Sequence, residues 1–188
     1  MNKIILVSGK AESGKTLTSN IIKSKLESLG YRVLIVSFAS YLKFISEKYF
    51  KWDGKKDENG RSLLQHLGTN VVRKKNPDFW VKTVYDFVYT FENEFDYFIA
   101  DDTRFKNEIS YFQERDPFSY FSIRVERIDF ENSLTTEQRK HDSEVDLDDW
   151  SFDLYLESKS GYENLSEIVN HRMFMNEGIR RILGLGEL

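Results

Sequence analysis

The chain alternates short, wholly apolar runs with longer stretches in which apolar residues return every three or four positions. Ile4–Val7 is apolar throughout, as a parallel strand covered on both faces must be. Thr16–Leu29 reads as a helix, with Ile21, Ile22, Leu26 and Leu29 at helical spacing and Gly30 as its stop. Val33–Ser37 is a second short strand, and Phe38–Phe50 is amphipathic and helical. Lys51–Gly60 holds Asp53-Gly54 and Asn59-Gly60 among lysines and acids, which marks a turn-rich loop. Helices follow over Arg61–Lys74, with Leu64, Leu67 and Val71 inward, and over Asp78–Phe91, with Trp80, Val81, Val84 and Val88. Tyr97–Ala100 is strand-like, Phe105–Arg115 helical, Tyr120–Val125 and Phe152–Leu156 strands, and Leu165–Leu183 a final helix.

This alternation predicts an α/β fold, a parallel β-sheet with helices on both faces, in one domain over residues 1–188. The polar interruptions at 51–60 and 127–149 are expected to be mobile elements of that domain, a substrate flap and a lid, and not boundaries.

Composition narrows the class. Charged residues are 31% and apolar residues 40% of the chain, with 15% aromatics and two prolines, which is globular and not disordered. Without cysteine there is neither a disulfide framework nor a thiolate metal site. The net charge of −4 argues against a dedicated nucleic-acid binder. No apolar run is long enough for a bilayer, and the N-terminus lacks a signal-peptide layout, so a cytoplasmic protein is expected (host cytoplasm if phage-encoded).

The chemistry begins directly after the first strand. Gly9-Lys-Ala11-Glu12-Ser13-Gly14-Lys15-Thr16 has the G-x-x-x-x-G-K-T spacing. Its glycines let the backbone curl so that successive N–H groups point at phosphate oxygens, and the following helix adds the positive end of its dipole. Lys15 would reach the β- and γ-phosphates and the Thr16 hydroxyl would ligate Mg²⁺. The strand before and the helix after set this apart from a glycine turn with a chance lysine. A single small domain without the Asn-Lys-x-Asp tetrapeptide favours a small-metabolite kinase over a GTPase.

Tyr97–Ala100 ends in Asp101-Asp102-Thr103-Arg104 at a strand terminus, where ligands bind in open α/β sheets. Asp102 is expected to hold Mg²⁺ and Arg104 a phosphate oxygen; capping of the next helix is the alternative. Arg61, Gln65, Thr69 and Arg73 recur every four residues as a stripe away from the core face. It reads equally as a solvated surface or as an acceptor site, with Gly68 leaving room for a base, Trp80 to stack and Lys82 as a cation. In the lid, Arg127, Arg139 and Lys140 are candidates to offset charge on the transferred group, and Thr135-x-x-Gln138 reads as a capping box. His141 reads as structural, and Ser143-Glu144-Val-Asp146 as a helix start.

These blocks, in order, carry a resemblance. Phe38-Ala-Ser-Tyr-Leu-Lys43, Trp52-Asp-Gly-Lys-Lys-Asp-Glu, Gly60-Arg-Ser-Leu-Leu-Gln65-His-Leu-Gly68-Thr69, Phe79-Trp80-Val-Lys82, Ala100-Asp-Asp102-Thr-Arg104-Phe-Lys-Asn107-Glu108 and His141-Asp-Ser-Glu144 resemble the phage-type deoxynucleoside monophosphate kinases. The resemblance spans roughly residues 4 to 156. It implies the P-loop nucleoside monophosphate kinase fold, with an acceptor-binding region over 38–95 and a lid over 127–149. It also implies transfer of the γ-phosphoryl of ATP, with Mg²⁺, to a deoxynucleoside 5′-monophosphate as the small-molecule partner. Lys43, Arg61, Gln65, Gly68, Thr69, Trp80 and Lys82 would surround the acceptor, with Asp102 and Arg104 beside the phosphates. Two departures stand out: Thr16 follows Lys15 directly, where family members often carry an intervening acid, and 127–141 matches only loosely. A kinase of another acceptor, such as dephospho-coenzyme A or phosphomevalonate, and a non-catalytic nucleotide-binding regulator are the competing readings. Neither the base accepted nor the choice between monomer and homodimer can be read from spacing.

Overall fold

In the computed structural model, residues 3–115, 118–128, 130–159 and 162–186 are described. Five parallel strands, β1 (Lys3–Ser8), β2 (Val33–Val36), β3 (Tyr97–Thr103), β4 (Ser119–Arg127) and β5 (Leu154–Ser158), form one sheet in the order β2-β3-β1-β4-β5. The parallel α/β sheet expected from the alternation is the one observed.

Packing of β1 shows why residues 4–7 are all apolar. Ile5 and Val7 pack into one core with Ile21, Ile22 and Leu26 of α1 (Lys15–Ser28). Ile4 and Leu6 pack into the opposite core with Val81, Val84 and Val88 of α4 (Phe79–Thr90) and with Ile109 and Phe112 of α5 (Lys106–Gln113). Each fully covered aliphatic side chain stabilises the fold by about 1.5–3 kcal/mol, so the two cores fix the sheet between its helical layers.

A third, smaller core of Leu42, Leu67 and Trp80 lies off the sheet and joins α2 (Ser40–Phe50) to α3 (Glu58–Gln65) and α4. α3 begins three residues before the expected Arg61, because Asp57 accepts the Gly60 N–H at 2.8 Å and caps it. The chain then continues π-helically over His66–Arg73. Residues four apart on an α-helix drift by about 40° per step. The wider π-helical turn rotates less per residue and undoes that drift, so Arg61, Gln65, Thr69 and Arg73 all line one cleft. The loop before α3 is tied down: Trp52 is buried and donates to the Lys55 carbonyl at 2.8 Å.

Two other elements differ from the sequence reading. β3 extends past Ala100 to Thr103, and β1 pairs Leu6 with Ala100 but Ser8 with Thr103. β3 therefore holds one extra residue at Asp101-Asp102, a bulge of the kind that re-aims side chains beside active sites. The expected Leu165–Leu183 helix is instead α8 (Tyr162–Val169), prolonged π-helically over Asn170–Phe174, and a separate α9 (Glu177–Leu183). Asn176 breaks it by accepting the Ile179 N–H at 3.0 Å as a new N-cap.

The lid region contains two short helices, α6 (Thr136–Arg139) and α7 (Asp142–Val145). The Thr135/Gln138 capping box is present in both directions. The cap of α7 is His141 and not Ser143: its Nδ1 accepts the Ser143 N–H at 3.2 Å. Residue 129 of the lid lies outside the described residues. Among the described residues no helix is long and apolar enough to cross a membrane.

Candidate active site

A cleft of about 530 Å³ opens beside the C-terminal ends of β1 and β3, where β3 and β4 flank β1 on either side. The phosphate loop forms one end of it. Gly9 has φ +155 and Gly14 φ +97, and a Cβ on Gly9 would lie 2.4 Å from the Val125 carbonyl. Glu12 is left-handed at φ 62 without being glycine, a conformation that surrounding contacts must hold. Those contacts come from Ser133, whose hydroxyl donates to Glu12 at 2.6 Å, and Arg61, which donates at 2.8 Å. Both hold the Glu12 carboxyl down to about 2.

α1 starts at Lys15 with no side-chain cap and no acid in its first turn. Its leading N–H groups are therefore left for an anion, which is what a triphosphate supplies. Lys15 is buried and donates to the Gly9 and Lys10 carbonyls at 2.8 and 2.6 Å. Burial pushes its ammonium well below the ordinary lysine value, and Arg104 adds to this, while Glu144 and Asp102 oppose it. A phosphate beside it would favour the charged form.

The bulge in β3 separates the two aspartates. Asp101, and not Asp102, lies against Thr16, whose hydroxyl donates to it at 3.3 Å. Burial and the neighbouring Asp102 charge push the Asp101 carboxyl up, against Lys43, Thr16 and Lys15. Asp102 instead accepts from the Ser37 hydroxyl at 2.5 Å and from the Phe38 and Ala39 N–H groups at 2.8 and 3.1 Å, closing the turn from β2 into α2. The helix-cap alternative does not hold for either aspartate, because Glu108 takes the Arg104 and Phe105 N–H groups ahead of α5. Among the described residues no group of three or more metal-ligating side chains exists. Mg²⁺ does not need one: a hydroxyl and a carboxylate, with phosphate oxygens and water, are hard oxygen donors of the kind it takes. Thr16 and Asp101 fit that ion.

The other end of the cleft is lined by Lys43, Arg61, Leu64, Gln65, Thr69 and Arg73 from α2 and the α3–π helix, and by Trp80. Arg73 is the most constrained of these. Its guanidinium lies 3.7 Å over the Phe105 ring, donates to Asn107 at 3.1 Å, and pairs with the buried Glu108. Burial pushes the Glu108 carboxyl up to about 7, although Arg73 and the Arg104 N–H hold it down. Gly68 lines the cleft as expected, and a Cβ there would also meet Leu42 at 2.8 Å, so the glycine lets the helix approach α2. Trp80 is buried and spends its indole N–H on the Gly68 carbonyl at 3.1 Å, which makes it a wall of the cleft anchored in the third core.

Four expected residues outside the phosphate loop lie off the cleft. Lys82 is on the outer face of α4, bonded to Asp86 at 2.8 Å. Arg127 stacks 3.8 Å over Phe130, and Arg139 braces the lid backbone through the Leu134 and Asn132 carbonyls and Glu131. Lys140 is not among the lining residues either. Residues to which the sequence reading gave no place in the site do line it: Lys56, Glu108, Glu144 and His141. Lys56 sits in the loop before α3, and among the described residues neither it nor Lys43 has a side-chain hydrogen bond or ion pair.

Successive loop residues are tied to the lid. Lys10 pairs with Asp148 at 3.0 Å, the Ala11 N–H donates to Glu144 at 2.9 Å, and Glu12 holds Ser133. The segment over 133–148 therefore packs directly against the phosphate loop.

No curated protein sequence matches the chain. A sugar kinase from a Janibacter species is similar in structure, at 10% identity, covering 95% of this chain and 98% of that one with a TM-score of 0.54. The Mycobacterium tuberculosis APS kinase in complex with AMPPNP and APS aligns at 9% identity over 90% of this chain and 96% of that one, with a TM-score of 0.45. The sheet, its phosphate loop and the first of these likenesses make this a P-loop kinase fold. The family model for deoxynucleotide monophosphate kinase matches residues 35–167, which takes in the acceptor end of the cleft, β3 and the lid, and the chain belongs to that family.

Proposed function

We propose that the protein transfers the γ-phosphoryl of ATP to a deoxynucleoside 5′-monophosphate, giving the diphosphate. The observation that carries this reading is a single cleft with a phosphate loop at one end and a side-chain-lined pocket at the other, with Lys43 and Lys56 alongside and without a side-chain partner among the described residues. The family match supports a deoxynucleotide as the acceptor class.

Phosphoryl transfer asks the protein mainly to align reactants, neutralise charge and exclude water. The α1 N-terminus and Lys15 hold the triphosphate with its γ-phosphoryl facing the pocket. Thr16 and Asp101 would hold Mg²⁺, which would supply charge neutralisation on the phosphates. Lys43, Lys56 and Arg61 receive the acceptor phosphate, while Gln65, Thr69 and Arg73 meet the rest of the nucleotide between Leu42, Trp80 and Phe105. Arg104 stands between the two ends, and the lid shuts out water. The acceptor phosphate is already an oxyanion at pH 7, so no general base is needed.

Gln65→Ala tests the pocket. It raises KM for the deoxynucleotide about 10-fold and leaves KM for ATP within about twofold. Lys82→Ala, on the outer face of α4, changes neither. Equal effects of Gln65→Ala on both substrates would overturn the acceptor assignment.

A further inference from the structure

Glu144 is nearly inaccessible, with a side chain 6% exposed, yet its two oxygens serve different parts of the site. Oε2 accepts the Ala11 N–H of the phosphate loop at 2.9 Å, and Oε1 accepts the Arg104 guanidinium. The neighbouring Ser143 carbonyl accepts from the same Arg104 nitrogen at 3.2 Å. A buried carboxylate is costly unless charged and hydrogen-bonded partners meet it, and here both its oxygens are met. Local structure delivers it there: His141 caps α7, so Glu144 falls in the first turn of a helix lying against the loop.

Arg104 lines the cleft between the phosphate loop and the acceptor pocket. Only its Nη1 is committed, to Glu144 and Ser143. Among the described residues its Nε and Nη2 make no hydrogen bond within the protein. An arginine on a flexible stem loses rotamer freedom to reach one geometry, and a bonded carboxylate removes that loss before substrate arrives. Fastening of the lid does not require this bond, since Lys10–Asp148 and Glu12–Ser133 already tie it to the loop.

We propose that Glu144 is a positioning residue that fixes the Arg104 guanidinium against the phosphate loop, with its free N–H groups turned to the phosphoryl group in transit. The proposal rests on the kinase reading above. Glu144 touches neither substrate and acts through Arg104.

The test is a double-mutant cycle on the full-length protein, read as kcat, KM for the deoxynucleotide and direct ATP affinity. Glu144→Gln keeps an oxygen for the Ala11 N–H and removes the charge that holds Arg104. It lowers kcat about 10-fold and leaves ATP affinity within about threefold. Glu144→Ala and Arg104→Ala each lower kcat about 100-fold, and the double variant is less than about threefold worse than Arg104→Ala alone. Independent losses that multiply, or Glu144→Gln turning over at the wild-type rate, would overturn the proposal. Should Glu144→Ala not fold, the Gln variant and its combination with Arg104→Ala decide the matter. Wild-type turnover is the control: its absence on every deoxynucleotide would sink the kinase reading, whereas wild-type turnover with an inert Glu144→Gln change sinks this one.

Discussion

The two ends of the cleft are built on opposite plans. The donor end is eight consecutive residues, Gly9 to Thr16, working through backbone N–H groups and one lysine held at the sheet by its own loop carbonyls. The acceptor end draws side chains from α2, the loop before α3, the α3–π helix, α4 and α5, and joins them across gaps of up to 35 residues, as in Arg73–Glu108. A site made of backbone is written in a short run of sequence. A site made of side chains is written in the packing of several helices.

Lys15→Ala is the most severe way to break the donor end. It lowers kcat about 10³-fold or more while the thermal midpoint stays at or above wild type, because the lost group is a buried cation. Retained turnover would sink the loop assignment. Asp101→Asn and Asp102→Asn come next, and they sharpen the border between the two ends. The first lowers kcat about 10²-fold with little change in stability, since the side chain meets Thr16. The second costs about 1–3 kcal/mol of stability, since its charge holds the Ser37, Phe38 and Ala39 donors, and leaves kcat within a few-fold. Urea denaturation alongside steady-state assays separates the two, and a reversed pattern would return the metal to Asp102.

The smallest effect belongs to the acceptor end and depends on pH. Glu108 titrates near 7 folded against an ordinary value of 4.5, so between those limits the folded protein holds a proton the unfolded chain has lost. Its contribution to stability is present below about 4.5 and is lost as pH rises through about 7. Ionisation in the same window is what strengthens its hold on Arg73. KM for the deoxynucleotide therefore falls a few-fold from pH 6 to pH 8, beyond the change due to the acceptor's own phosphate. In Glu108→Gln, measured with the same acceptor, that extra dependence disappears. An identical profile in the two proteins would show that Arg73 is held without Glu108.

Legibility in the sequence follows the same division. The sheet and the phosphate loop were readable because apolar runs and glycine spacing are local signals. The stripe from Arg61 to Arg73 was readable as a face, but only the π-helical turn brings its four members to one cleft. That Asp101, and not the expected Asp102, meets Thr16 depends on a bulge in the pairing of β3 with β1, which neither strand's own sequence carries. Gly68 and Trp80 were identified as cleft residues, but their reasons lie in Leu42 and in a backbone carbonyl. Lys82 and the lid arginines looked free as cations, and each has a neighbour that occupies it. Glu144 stood in a quoted motif, yet its partner in the phosphate loop is 133 residues away.

The most direct test of the central claim is nucleoside diphosphate formation from ATP and Mg²⁺ with each of the four deoxynucleoside 5′-monophosphates, set beside their ribose counterparts, dephospho-coenzyme A and phosphomevalonate. The account predicts turnover with at least one deoxynucleotide at a kcat/KM well above that of every other acceptor class, and none in Lys15→Ala. ADP release driven equally well by a non-nucleotide acceptor, or ATP binding with no acceptor-dependent turnover, would contradict it.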